Sequence, residues 1–213
     1  QNSQEVLDFN LYLSPQDHFS FAISEAPESV NGAGLVGGAK LTTLDKSCTS
    51  PAIPEEGEPF RTFLFEGDDN NGVARTQVGY IEVIEMGQLD PSATPVIDKS
   101  GIANGNAINA AAAITHDTNG TPANCNIVNF AWGTDDAGDG VWKAEAKTGQ
   151  LGQSEMLANW SGGGLYGYAT VINVPQGAAF SYDAIAIADH VADGASGYAM
   201  HYEPGTIYPN FTD

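Results

Sequence analysis

Leu165-Tyr166-Gly167-Tyr168-Ala169-Thr170-Val171-Ile172-Asn173-Val174 is followed by Pro175-Gln176-Gly177 and, soon after, by Phe180-Ser181-Tyr182-Asp183-Ala184-Ile185-Ala186-Ile187. The first run is rich in aromatic and β-branched residues, which suit a pleated surface. The Pro-Gln-Gly step supplies a turn. The second run places Phe180, Tyr182, Ala184 and Ala186 on one face, the period of two that marks a strand. Together they predict an antiparallel pair over 165–174 and 180–187.

Working outward, the same period recurs at the other end of the chain. In Val6-Leu7-Asp8-Phe9-Asn10-Leu11-Tyr12-Leu13, the residues Leu7, Phe9, Leu11 and Leu13 share one face, and Asp8 and Asn10 lie on the other. Ser14-Pro15-Gln16-Asp17 makes a turn, and Phe19 to Ile23 alternates again, so a hairpin or a sheet corner is expected. Further strands are expected at 40–44 and 60–65. The apolar block 77–86 has no clean alternation, which predicts a strand covered on both faces. Ala110-Ala111-Ala112-Ala113 centres a helix over 106–115, ended by Asn119-Gly120-Thr121-Pro122. Residues 127–132 read as a strand. The chain is therefore expected to be mainly β: an antiparallel β-sandwich or two small β subdomains, with one or two short helices. The division is either one β-rich domain over 1–213 or two parts, 1–100 and 101–213.

Composition limits the partners. Of 213 residues, 27 are Asp or Glu and 7 are Lys or Arg, a formal net charge of −20. Such a surface repels phosphate, so nucleic acid and anionic membrane are poor partners, and cations and basic surfaces are good ones. No apolar run reaches the roughly 18 residues a membrane helix needs. The nearest stretch, 178–188, is broken by Ser181, Tyr182 and Asp183. Apolar residues make up 42% of the chain, enough for a core. The 25 glycines, with Asn, Asp and Pro, mark many turns. Few Lys beside many Asp and Asn suits an exported protein.

Cys48 and Cys125 stand outside any Cys-x-x-Cys pair, so neither a redox motif nor a zinc knuckle is indicated. In an oxidising compartment they form one disulfide; in a reducing one they are two buried thiols. The bridge would close a 77-residue loop. The chain opens on Gln1-Asn2-Ser3, so any leader has been removed.

Several segments resemble a family of uncharacterised exported, cell-surface proteins of Gram-negative bacteria. They are Glu5-Val6-Leu7-Asp8-Phe9-Asn10-Leu11-Tyr12-Leu13-Ser14-Pro15, Ser47-Cys48-Thr49, Arg75-Thr76, Gly79-Tyr80-Ile81-Glu82-Val83-Ile84-Glu85-Met86-Gly87, Pro122-Ala123-Asn124-Cys125 and Gly164-Leu165-Tyr166-Gly167. The resemblance implies an extracellular or cell-surface location. It also implies that this chain is an interior piece of a longer protein, with a β-rich segment before it and more chain after it. It supplies no catalytic residue.

Candidate sites are few. Asp68, Asp69 and Asn70, and likewise Asp135, Asp136 and Asp139, cluster hard oxygen ligands of the kind calcium takes. Neither loop fits the twelve-residue helix–loop–helix pattern: counted from Asp135, the third and twelfth positions are Ala137 and Ala146. Solvated Asx turns give the same sequences. Trp132, Trp142, Trp160 and Tyr166, with Tyr168, offer a stacking platform for a glycan, against which stands ordinary core packing. His18, His116, His190 and His201 show no i, i+4 metal spacing and read as surface or hydrogen-bonded imidazoles. No Gly-x-Ser-x-Gly elbow, dinucleotide fingerprint or P-loop lysine is present. Sequons at Asn119, Asn159 and Asn210 are no more than composition gives.

Three functions remain open on these grounds. The first is an exported structural or adhesive subunit whose partner is itself or another surface component. In it, a strand edge near 6–13 accepts a strand from a second subunit. The second is an extracellular carbohydrate- or calcium-binding module, with calcium the one cofactor indicated. The third is a secreted hydrolase.

Overall fold

The computed structural model describes residues 5–26, 37–62, 72–83, 88–89, 107–132, 157–158 and 165–186. Nine strands and two helices are placed among them. In chain order these are β1 (Asn10–Tyr12), β2 (Ala22–Ala26), β3 (Gly38–Thr42), β4 (Cys48–Ser50), β5 (Glu58–Pro59), β6 (Gln88–Leu89), α1 (Ala107–Ile114), α2 (Asn126–Trp132), β7 (Leu157–Ala158), β8 (Tyr168–Asn173) and β9 (Ala178–Asp183). All pairings are antiparallel: β1 with β4, β2–β3–β5 in a three-stranded sheet, β6 with β7, and β8 with β9. The fold is mainly β with two short helices, as the strand periodicity predicts.

The C-terminal pair forms for the reasons read from its sequence. Val171 faces Phe180 and Ala169 faces Tyr182 across the ladder, and Thr170 and Ser181 join hydroxyls at 2.7 Å on the opposite face. The turn is built by Asn173, whose side chain accepts from the Gln176 N–H at 3.2 Å, and by Gly177, left-handed at φ 59°. Only a residue without Cβ adopts that conformation at no cost.

The N-terminal half departs from expectation. β1 and β2 do not pair with each other; β1 pairs with β4 in the register Tyr12↔Cys48, and β2 pairs with β3. The alternation over 6–13 is not reproduced as burial. Leu7, Phe9, Leu11 and Leu13 are half-buried, and Asn10 is the most enclosed residue of the run. Packing covers both faces of this segment, and Phe9, Phe19 and Phe21 form a chain of tilted rings with centroids 6.1 and 5.7 Å apart. Residues 60–62 lie outside any strand but tie layers together: the Phe60 N–H donates to Ala39 O and the Arg61 N–H to Val6 O, each at 2.8 Å. Residues 63–65 lie outside the described residues.

Two further corrections concern apolar segments. The run 127–132 is not a strand; it belongs to α2. The Asn124 side chain accepts from the Asn126 N–H at 3.1 Å and so satisfies the first N–H of a helix that forms in spite of Ile127 and Val128. The described part of the 77–86 block, 77–83, is in no strand and is exposed throughout. Val78 is 89% exposed and Val83 67%, the opposite of a strand covered on both faces.

One core lies where α2 packs between α1 and β4. Ala110, Ala113, Ile114, Val128 and Cys48 are buried there. Cys48 and Cys125 form the expected disulfide, with their Cα atoms 5.1 Å apart, and it fastens the residue directly before α2 to the β1–β4 ladder. The α1–α2 connection is a tight knot. The Asp117 carboxylate accepts from the N–H groups of Asn119 and Thr121 at 2.8 and 3.0 Å, and Gly120 is left-handed at φ 72°.

Candidate functional site

Two features of the described residues stand apart from ordinary packing. The first is a polar cluster beside the disulfide. The turn after β1 presents Ser14 and Asp17, and the end of α1 delivers His116 from 102 positions away. His116 Nδ1 lies 2.8 Å from Ser14 Oγ and 3.0 Å from Asp17 Oδ2, and both the His116 and Asp17 side chains are largely enclosed. Ser14 also donates to Asp17 from its N–H at 3.2 Å.

The set holds serine, histidine and aspartate, so its geometry decides its chemistry. A nucleophilic triad needs the serine on one ring nitrogen and the carboxylate on the other. Here both converge on Nδ1. The group is therefore a clasp between the β1–β2 turn and α1, not an activated serine. The β3–β4 connection carries Asp45 nearby, with Ser47 Oγ 3.5 Å from Asp17 Oδ2. Burial pushes the Asp45 carboxyl up, but the N–H and hydroxyl of Ser47, the N–H of Ser20 and the His18 charge outweigh it and hold it below its ordinary value. Ser47 N and Oγ donate to Asp45 at 2.9 and 2.7 Å, and Ser20 N at 3.1 Å.

A pH dependence follows, and its sign is fixed. A carboxyl depressed in the folded state stabilises the fold above its unfolded value, near 3.8, and that contribution is lost as pH falls through the lower folded value. Asp117 behaves alike, held down by the N–H groups of Thr121 and Asn119. For Asp45→Asn we expect a loss under about 1 kcal/mol at pH 7, because solvent screens so accessible a group. The gap to the parent should narrow as pH falls below the ordinary carboxyl value near 3.8, read by urea titration at pH 7 and in acid. A gap that persists in acid would show that Asp45 acts through packing alone.

The second feature is the β8–β9 hairpin. Every side chain of its twelve strand residues is exposed except the half-buried Ala169. Ala169, Val171, Ala178, Phe180 and Tyr182 share one face; Phe180 is 61% exposed and Tyr182 54%. Ile172 and Tyr168 lie on the other face, also open. Residues 165–186 carry one charged side chain, Asp183, in a chain of net charge −20. A two-stranded ribbon with both faces wet is marginal by itself.

The residues singled out from sequence fare unevenly. Asp68, Asp69, Asn70, Asp135, Asp136, Asp139, Trp142, Trp160, His190 and His201 lie outside the described residues. Trp132 falls in α2, and its side chain is likewise outside them. Tyr166 stands just before β8 and is 93% exposed. Among the described residues no group of three His, Cys, Asp or Glu is placed to hold a metal, and no helix is long and apolar enough to cross a membrane. The Ser14–Asp17–His116 clasp was not foreseen from the sequence. Its local half carried a signal, since Ser14-x-x-Asp17 is a turn whose acid returns to the Ser14 N–H. Comparison with protein-family models, with curated proteins and with solved structures finds no match.

Proposed function

We propose that the chain is a structural subunit of an exported, cell-surface protein, and that it acts by associating with further copies of itself. The observation that carries this reading is the doubly exposed β8–β9 hairpin, which holds a single charge, Asp183, on an otherwise strongly acidic chain. Apolar area of this kind is favourable to remove from water, at about 25 cal/mol per Å². Contiguous exposed patches mark interaction surfaces. The acidic remainder works against indiscriminate clumping, because like charges repel everywhere but at the patch. The disulfide supports an oxidising compartment. The resemblance to exported surface proteins belongs to the same proposal.

The strand edge near 6–13 is not the surface we favour. β1 pairs with β4, and its residues are buried or half-buried. A carbohydrate-binding reading keeps one observation, the exposure of Tyr166 and Tyr168, and a glycan array would test it.

Light scattering of the whole chain over a wide concentration range tests the main reading. We expect the mass to rise with concentration and the rise to persist in chelator. A constant monomer mass up to millimolar concentration, with and without calcium, would overturn it.

A further inference from the structure

Resting on the self-association reading, we propose that the contact is head to tail: residues 77–83 of one copy add as a strand to the outer edge of β8 in a second copy. The donor is a β-prone run left outside every described sheet. Val78, Ile81 and Val83 are 89%, 58% and 67% exposed, and a Cβ added at Gly79 would meet nothing within 4 Å. Valine, isoleucine and tyrosine favour a pleated, half-covered setting, so a solvated run of them is in the wrong environment. The acceptor is β8, whose described partner is β9 on one side alone. An open ladder edge is a template for an incoming strand.

Length and charge select this pairing. The seven-residue donor matches the six residues of β8. The donor carries one charge, Glu82, and residues 165–174 carry none, whereas β9 holds Asp183. The donor therefore meets no like charge on the β8 edge and meets one on the β9 edge. A basic partner would gain nothing from an edge without charge, and a second acidic copy can approach there without repulsion. Hairpin-to-hairpin stacking is the weaker alternative. One face of a six-residue ribbon spans only about 20 Å by 10 Å, far short of the roughly 1,000 Å² of a stable interface. Strand addition contributes backbone hydrogen bonds along the β8 edge beyond the apolar area it covers there.

A donor and an acceptor in different segments of the chain make a complementation test. Ile81→Lys disables the donor and Ile172→Lys the acceptor; both side chains point to solvent, at 58% and 67% exposure. Each variant alone should associate at least about tenfold more weakly than the parent. Mixed, they should form a 1:1 dimer and nothing larger, because each copy retains the half the other lost. Association of Ile81→Lys at parental strength, or a mixture that stays monomeric, would overturn the head-to-tail contact while leaving self-association standing. A parent that never associates would remove both. Far-UV circular dichroism checks that each variant is folded. If one is not, Val83→Cys chains mixed with Ile172→Cys chains under mild oxidation provide the decision. A mixed cross-linked dimer is expected, and its absence in an associating protein overturns the contact.

Discussion

Replacing Cys48 and Cys125 together by alanine is expected to lower stability by about 2–4.5 kcal/mol, the largest loss of any change on the molecule's covalent frame. The bridge spans 77 positions, and closing a loop of that length removes about 4.5 kcal/mol of unfolded-chain freedom in the chain-entropy model. The lower bound allows for structure left in the unfolded chain. The loss should also be local in character. Cys48 is the last-paired residue of the β1–β4 register and is 1% exposed, and Cys125 directly precedes α2, its carbonyl accepting from Val128 N and Asn129 N. Without the bond, α1 and α2 are held to the ladder by small side chains, Ala110 and Ala113 among them, and by the His116–Asp17–Ser14 clasp. Hydrogen exchange should therefore accelerate first in α1 and α2 and hardly at all in the β2–β3 ladder. Reduction of the parent chain with dithiothreitol should reproduce both effects. A loss under 1 kcal/mol in the alanine pair would show that these helices are fixed by packing and not by the bridge.

What the sequence disclosed follows a physical line. Local, periodic and turn-bounded features were legible. The β8–β9 pair rests on Val171, Phe180 and Tyr182 at period two and on an Asn-Val-Pro-Gln-Gly turn whose every member has a job. Helix α1 rests on four consecutive alanines and falls within 106–115. Two errors share a cause, the assumption that apolar residues declare their own setting. In α2 the β-branched Ile127 and Val128 suggest a strand, but the Asn124 side chain on the first helical N–H and the neighbouring core favour the helix. In 77–83 the apolar run suggests a covered strand, but coverage depends on what lies opposite, which no local pattern records. The His116 clasp is the same problem over a longer distance. Nothing near position 116 announces a carboxylate 99 positions earlier, and only the α1–α2–β4 packing brings the two within 3.0 Å. The two-cysteine count was the one long-range relation the sequence could carry, because a disulfide in an oxidising compartment needs a partner and just one was available.

Gly57→Ala and Gly37→Ala form the second large prediction, and their contrast is its strength. Both glycines sit in the left-handed region with nearly equal φ, 96° and 91°. Adding a Cβ therefore costs about the same backbone strain at each, roughly 1–2 kcal/mol. The surroundings differ. At Gly37 the added carbon meets nothing within 4 Å. At Gly57 it would lie 2.6 Å from Thr42 Cγ2 and 2.7 Å from the Leu41 carbonyl oxygen. A rotation of Thr42 relieves the first contact, but the second is with the backbone of β3. Leu41 pairs with Glu58 in the ladder, so its carbonyl moves only if the β3–β5 register moves with it. That strand is also held by the Phe60 N–H to Ala39 O bond at 2.8 Å and by the Ala39 N–H to Thr76 Oγ1 bond at 3.0 Å. The strain thus has no soft outlet. We expect Gly37→Ala to cost about 1–2 kcal/mol and Gly57→Ala about 3 kcal/mol or more, with β5 detached from β3 in hydrogen exchange. Urea titrations of the two variants decide the matter: equal losses would mean that φ alone sets the cost and that the close approach of residue 57 to β3 contributes nothing.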